Sequence, residues 1–120
     1  MTREHFVNIA REAVDSLPDE FRRRIHNVAL LVEDRPAEEI QRRRPHGSPR
    51  RLLLGLYVGI PATQRSVFAL PTGPDHIILY QKNIEAVCRT EDEIREQIRR
   101  TVIHELGHYF GMDEDQLKDV

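Results

Sequence analysis

A chain of 120 residues, 39% hydrophobic and 32% charged, is long enough for a single domain (residues 1–120) with a modest core and too short for a two-lobed protease. Its net charge of −2 argues against nucleic acid as a general partner, although nearly all of its 18 basic residues are arginines, clumped at 22–24, 42–44 and 50–51. No apolar run could span a bilayer, Met1-Thr2-Arg3-Glu4-His5 is no signal segment, and a lone Cys88 excludes an internal disulfide, so a cytoplasmic protein without membrane contact is expected.

Along the chain, Phe6, Ile9, Ala10, Ala13, Val14 and Leu17 recur at helical spacing until Pro18, which predicts an amphipathic helix over 3–16. Residues 27–33 (N-V-A-L-L-V-E) are apolar on both faces, as a central strand would be. Asp34-Arg35-Pro36 ends that strand, and 37–43 suits a short helix. A loop follows at 45–49, where His46 reads as solvated. Residues 52–58 form the second predicted strand, with Leu52, Leu54, Leu56 and Val58 on one face. The stretch 59–74 carries three prolines and no sustained period, so it reads as a long loop of the kind that often serves function. A third strand over 76–81 and a short helix over 83–88 come next, with Cys88 reading as a small buried hydrophobe. The ensemble argues for an α+β domain: a small mixed sheet packed against two main helices.

The last helix has the clearest signature. Thr90 and Glu93 make a capping box, and Glu91, Asp92 and Glu93 place negative charge on the first turn. Ile94, Ile98, Val102, Leu106 and Phe110 then recur every four residues, and Gly111 supplies a stop after about 20 residues. Val102, Ile103, Leu106 and Phe110 are expected in the core. Within this helix lies His104-Glu105-Leu106-Gly107-His108, an H-E-x-x-H pattern. Residues four apart share a helix face, so His104 and His108 can offer two imidazoles to one metal ion. Glu105 stands about 100° further round, beside the ion, where it could take a proton from an activated water. In a chain of this composition the pattern arises by accident roughly 3 times in 100; adding Gly111 and the acid at 114 lowers that to roughly 2–3 in 10,000.

Catalytic zinc usually has three protein ligands and one open position. Few residues follow Gly111, so the third ligand is expected from the acidic tail Asp113-Glu114-Asp115 or from upstream. Gly111 lets the chain turn back beneath the ion. Glu114 stands ten residues after His104, where the longer metzincin pattern places its third ligand, and a carboxylate oxygen is an acceptable donor to Zn2+. Glu114 is therefore the first choice, ahead of Asp115 and Asp113.

The run from His104 to Gly111 with its acidic continuation resembles the minimal zincins, small bacterial zinc metallopeptidases with an H-E-x-x-H-x-x-G-x-x-(D/E) pattern. The resemblance extends to Gly59-Ile60-Pro61-Ala62-Thr63-Gln64-Arg65-Ser66 and to Ile77-Ile78-Leu79-Tyr80, and covers about residues 25–117. Members commonly carry Asp where this chain has Glu114. The resemblance implies a minimal zincin-like fold: a three- to four-stranded mixed sheet on an N-terminal helix and a C-terminal active-site helix. It also implies an edge strand that pairs with an extended peptide, for which the third strand and residues 64–70 are the candidates.

The leading functional expectation is a zinc metallopeptidase, with His104, His108 and Glu114 as ligands and Glu105 as general base, acting on peptides or small proteins in an open, shallow cleft. Tyr80 and Tyr109 are candidate donors to a tetrahedral intermediate, with ordinary packing as the simpler reading. Two alternatives belong to other classes. A metal-dependent RNA hydrolase would use the arginine clusters, but no aromatic residues interleave with them, and the ribosomal-RNA maturation endoribonucleases lack a glutamate after the first His. A non-catalytic zinc-binding module would share the metal site without turnover. Nothing in the sequence indicates an oligomeric state.

Overall fold

A computed structural model describes residues 1–43, 52–59 and 75–111. Helix α1 (Arg3–Asp15) starts where the Thr2 side chain accepts a hydrogen bond from the His5 amide at 3.1 Å. It buries Phe6, Ile9, Ala10 and Ala13, the two alanines giving a flat face that packs along the last helix. Ser16 caps its end, and Pro18 opens a second helix, α2 (Asp19–Ile25), that sequence reasoning passed over. The signal was present: Pro18 before the first turn, acids at 19 and 20, and Phe21 and Ile25 four residues apart, both buried.

Strand β1 (Ala29–Glu33) leads to helix α3 (Glu38–Arg43), then to strand β2 (Gly55–Val58), strand β3 (His76–Tyr80) and helix α4 (Gln81–Val87). Helix α5 (Glu91–Tyr109) closes the fold, with both bonds of the Thr90–Glu93 capping box formed. The sheet order is β1-β3-β2. β1 runs parallel to β3 with Ala29 opposite His76 and Glu33 opposite Tyr80, while β2 is antiparallel with Gly55 opposite Leu79 and Val58 opposite His76. The result is an α+β fold with a three-stranded mixed sheet, as expected, but two strand roles differ. Among the described strands the 27–33 segment lies at the edge rather than the centre, and Leu31 on its outer face is 44% exposed. The third strand, one candidate for the open edge, is central and hydrogen-bonded on both sides; the other candidate, 64–70, lies outside the described residues.

The core lies between the sheet and helices α1 and α5. Ile77 and Leu79 of β3 are fully buried against Phe6, Ile9, Ile98, Val102 and Leu106, and Leu30 and Val32 of β1 complete the layer. Each large apolar side chain removed from water there stabilises the fold by roughly 1.5–3 kcal/mol before entropy is counted. Phe110 departs from expectation: it sits past the end of α5, is 41% exposed and lies under the Arg24 guanidinium of α2, 5.5 Å from the ring centre. Cys88 is half-buried against the core, which pushes its thiol pKa up and suits a packing role. Among the described residues no helix is long and apolar enough to cross a membrane.

One close approach positions everything that follows. A Cβ on Gly55 would lie 2.6 Å from Thr101 Cγ2 and 3.1 Å from the Ile78 carbonyl oxygen. The absence of a side chain at Gly55 therefore lets β2 settle onto α5 one turn before His104.

Candidate metal centre

The last turns of α5 pass beneath β2 and carry His104, Glu105 and His108. The two imidazoles are exposed and project from one face, their ring centres 6.3 Å apart with planes inclined by 27°. Rings sharing a tetrahedral zinc at Zn–N of about 2.0–2.1 Å have centres roughly 5–6 Å apart, so small rotations would bring both nitrogens to one ion. The donor chemistry and spacing thus fit a divalent metal. No group of three His, Cys, Asp or Glu side chains that could hold an ion occurs among the described residues. Glu114, like Asp113 and Asp115, falls outside them, so the expected third ligand stays an expectation.

Glu105 is half-buried, and its Oε1 accepts a hydrogen bond from the Tyr57 backbone amide at 2.9 Å. The register explains why that amide is available. The Tyr80 amide donates to the Leu54 carbonyl at 3.0 Å, which makes Leu54 and Tyr80 a hydrogen-bonded pair. Alternation then turns the N–H and C=O groups of Leu56 and Val58 toward β3, and those of Gly55 and Tyr57 away from it. A buried or half-buried carboxylate accepting a backbone N–H gains a charge-assisted bond and a fixed orientation.

The Tyr57 side chain takes part as well. Its ring stacks on Tyr109, the residue after His108, with centres 4.0 Å apart and planes 17° from parallel. Both hydroxyls donate to the same oxygen, Asp75 Oδ2, at 2.9 Å from Tyr57 and 3.1 Å from Tyr109. Burial, and then the Asp75 carboxylate, push the Tyr57 pKa far above its ordinary value, which keeps the hydroxyl protonated and donating. Gly59 makes room for the cluster, since a Cβ there would lie 2.5 Å from Asp75 Oδ1.

Tyr57 and Asp75 are the site residues that sequence reasoning missed. Neither belongs to a spaced pattern, and only the pairing of β2 with β3 brings them together. Of the two tyrosines considered as donors to a reacting group, Tyr109 gives its hydroxyl to Asp75, and Tyr80 is fully buried, its hydroxyl without a hydrogen-bond partner among the described residues.

The arginine clusters that fall within the described residues are interlaced with carboxylates. Arg22 pairs with Asp19, Arg24 with Glu20 and Arg42 with Glu38, each within one helical turn. Arg44, Arg50, Arg51 and His46 lie outside the described residues. A family model described as zincin-like metallopeptidase matches residues 25–120, the greater part of the chain. No curated protein matches it.

Proposed function

Since the chain belongs to the zincin-like metallopeptidases, we propose that it is a zinc-dependent peptidase that uses Glu105 as general base. The observation that carries this reading is the seating of Glu105 on the Tyr57 amide of β2, in the same turns of α5 as the two exposed imidazoles. His104 and His108 would hold the ion, with Glu114 as the third ligand. Bound there, zinc supplies a water of lowered pKa and polarises the scissile carbonyl. The same donor set accepts other divalent ions, so the metal loaded is set by availability as well as affinity.

What the protein itself does follows from its own groups. The Tyr57 amide holds one oxygen of Glu105 and so fixes the plane of the carboxylate before substrate arrives. Glu105 then accepts the proton of the attacking water on a carboxylate oxygen and delivers it to the leaving amine nitrogen. Among the described strands β2 pairs on one side alone, and its outward groups other than the Tyr57 amide, which Glu105 takes, would suit an extended peptide. Pairing as an added strand favours small or unfolded peptides over folded proteins, whose backbone groups are already paired. Such a reading agrees with the pairing of Arg22, Arg24 and Arg42 to carboxylates of their own helices.

Glu105→Gln is the direct test. Glutamine keeps a carbonyl oxygen for the Tyr57 amide while losing basicity, so the fold and zinc binding should persist. Degradation of a random peptide library by the zinc-loaded protein should disappear in this variant. Turnover retained at the wild-type rate would refute the mechanism, and absence of turnover in the wild type would favour a non-catalytic zinc module.

A further inference from the structure

We propose that Asp75 is a positioning residue for this centre: through the Tyr57 and Tyr109 hydroxyls it sets the separation of β2 from the last turn of α5, and so seats Glu105 on the Tyr57 amide. The functional part of this inference rests on the reading of Glu105 as the base. Its geometric part stands on the contacts alone.

Asp75 lies where three elements meet the active helix. Its carbonyl accepts the Ala29 amide at 2.9 Å, which ties it to the start of β1, and its own chain continues directly into β3. Its side chain reaches across to β2 and α5 through a single oxygen that receives two hydroxyls. Those hydroxyls belong to the two residues through which a displacement would be felt. Tyr57 carries the amide that holds Glu105, and Tyr109 follows His108 in the chain. The stacked rings fix the lateral spacing, and Gly59 lets the carboxylate lie close over β2. A carboxylate bound by two donors is held more tightly than a neutral acceptor would be, because both bonds are charge-assisted. The Asp75 carboxylate acts on the Tyr57 and Tyr109 hydroxyls, neither of them an expected ligand, so its effect on the base passes through the Tyr57 amide.

The test follows single amides in the metal-free protein by hydrogen exchange, with Asp75→Ala and Asp75→Asn beside the wild type. Asp75→Ala should lower protection of the Tyr57 amide by about tenfold, while the Leu56 and Val58 amides, bonded within the sheet, stay near wild type. Asp75→Asn should fall between. Tyr57→Phe and Tyr109→Phe each delete one hydroxyl and nothing else, and should reproduce part of the loss should the alanine variant fail to fold. In the zinc-loaded protein, kcat should fall with KM changed little, as for a misplaced base. Unchanged Tyr57 protection in all four variants would overturn the proposal, as would a loss spread equally over every β2 amide, which marks general destabilisation. A wild type without turnover removes the peptidase reading; the amide pattern still decides the positioning role.

Discussion

Replacing Gly55 by alanine should separate β2 from α5, and the size of the effect can be worked from the contact. The new Cβ would stand 2.6 Å from Thr101 Cγ2, whereas carbon atoms pack best at about 3.5–4.0 Å, so strand and helix must part by roughly 1 Å. Thr101 cannot yield easily. It is 7% exposed, its branched side chain is stiff in a helix, and its Oγ1 accepts from Gln97 Nε2 at 3.2 Å. Overpacking of this kind costs about 1–3 kcal/mol. The smaller conformational freedom of the unfolded alanine chain offsets about 0.4–1 kcal/mol of that. A net loss of about 1–2 kcal/mol should appear as a lower urea midpoint at unchanged slope, and as a fall in Tm of roughly 4–10 °C. Thr101→Ser removes Cγ2 and keeps the hydroxyl, so the double variant should recover at least about 0.5 kcal/mol beyond additivity. A neutral Gly55→Ala, or strict additivity of the two changes, would refute the close-approach argument.

Two further outcomes concern the tyrosines. Among the described residues the buried Tyr80 hydroxyl has no partner, an arrangement that costs about 1–3 kcal/mol, so Tyr80→Phe should leave stability unchanged or raise it by about 1 kcal/mol; a comparable loss in chemical denaturation would show that the hydroxyl is bonded in solution. Burial raises the Tyr57 and Tyr80 pKa values above 10.0, so the folded state holds these protons more tightly than the unfolded chain does. Their stabilising contribution is complete below about pH 10 and is lost as pH rises beyond it, and Tyr57→Phe should blunt that alkaline loss in urea midpoints taken from about pH 9 to 12.

The elements differed in how far local sequence disclosed them. Helix α5 was legible because its capping box, its four-residue period and its glycine stop all act within a few residues of one another. Gly111 does adopt the left-handed conformation that a stop requires, at φ 69°. Helix α2 was overlooked because Pro18 served both as the end of one helix and the start of the next. β1 is apolar on both faces, as a central strand would be, yet strand order depends on which partners arrive from elsewhere in the chain, and β3 takes the middle. Phe110 kept the period of α5 but lay beyond the last turn that faces the sheet, so periodicity overran the helix by one residue.

The amino-acid sequence by itself determined the chemistry on offer: two imidazoles and a carboxylate whose spacing is a property of the helix that carries them. That spacing is local, so it could be read without a fold. Only the tertiary structure decided how the carboxylate is held. Tyr57, Asp75 and Tyr109 come from β2, the residue before β3 and the end of α5, and no periodicity relates them. They meet because Gly55 lets the strand close on the helix and the antiparallel register turns the Tyr57 amide outward, toward Glu105.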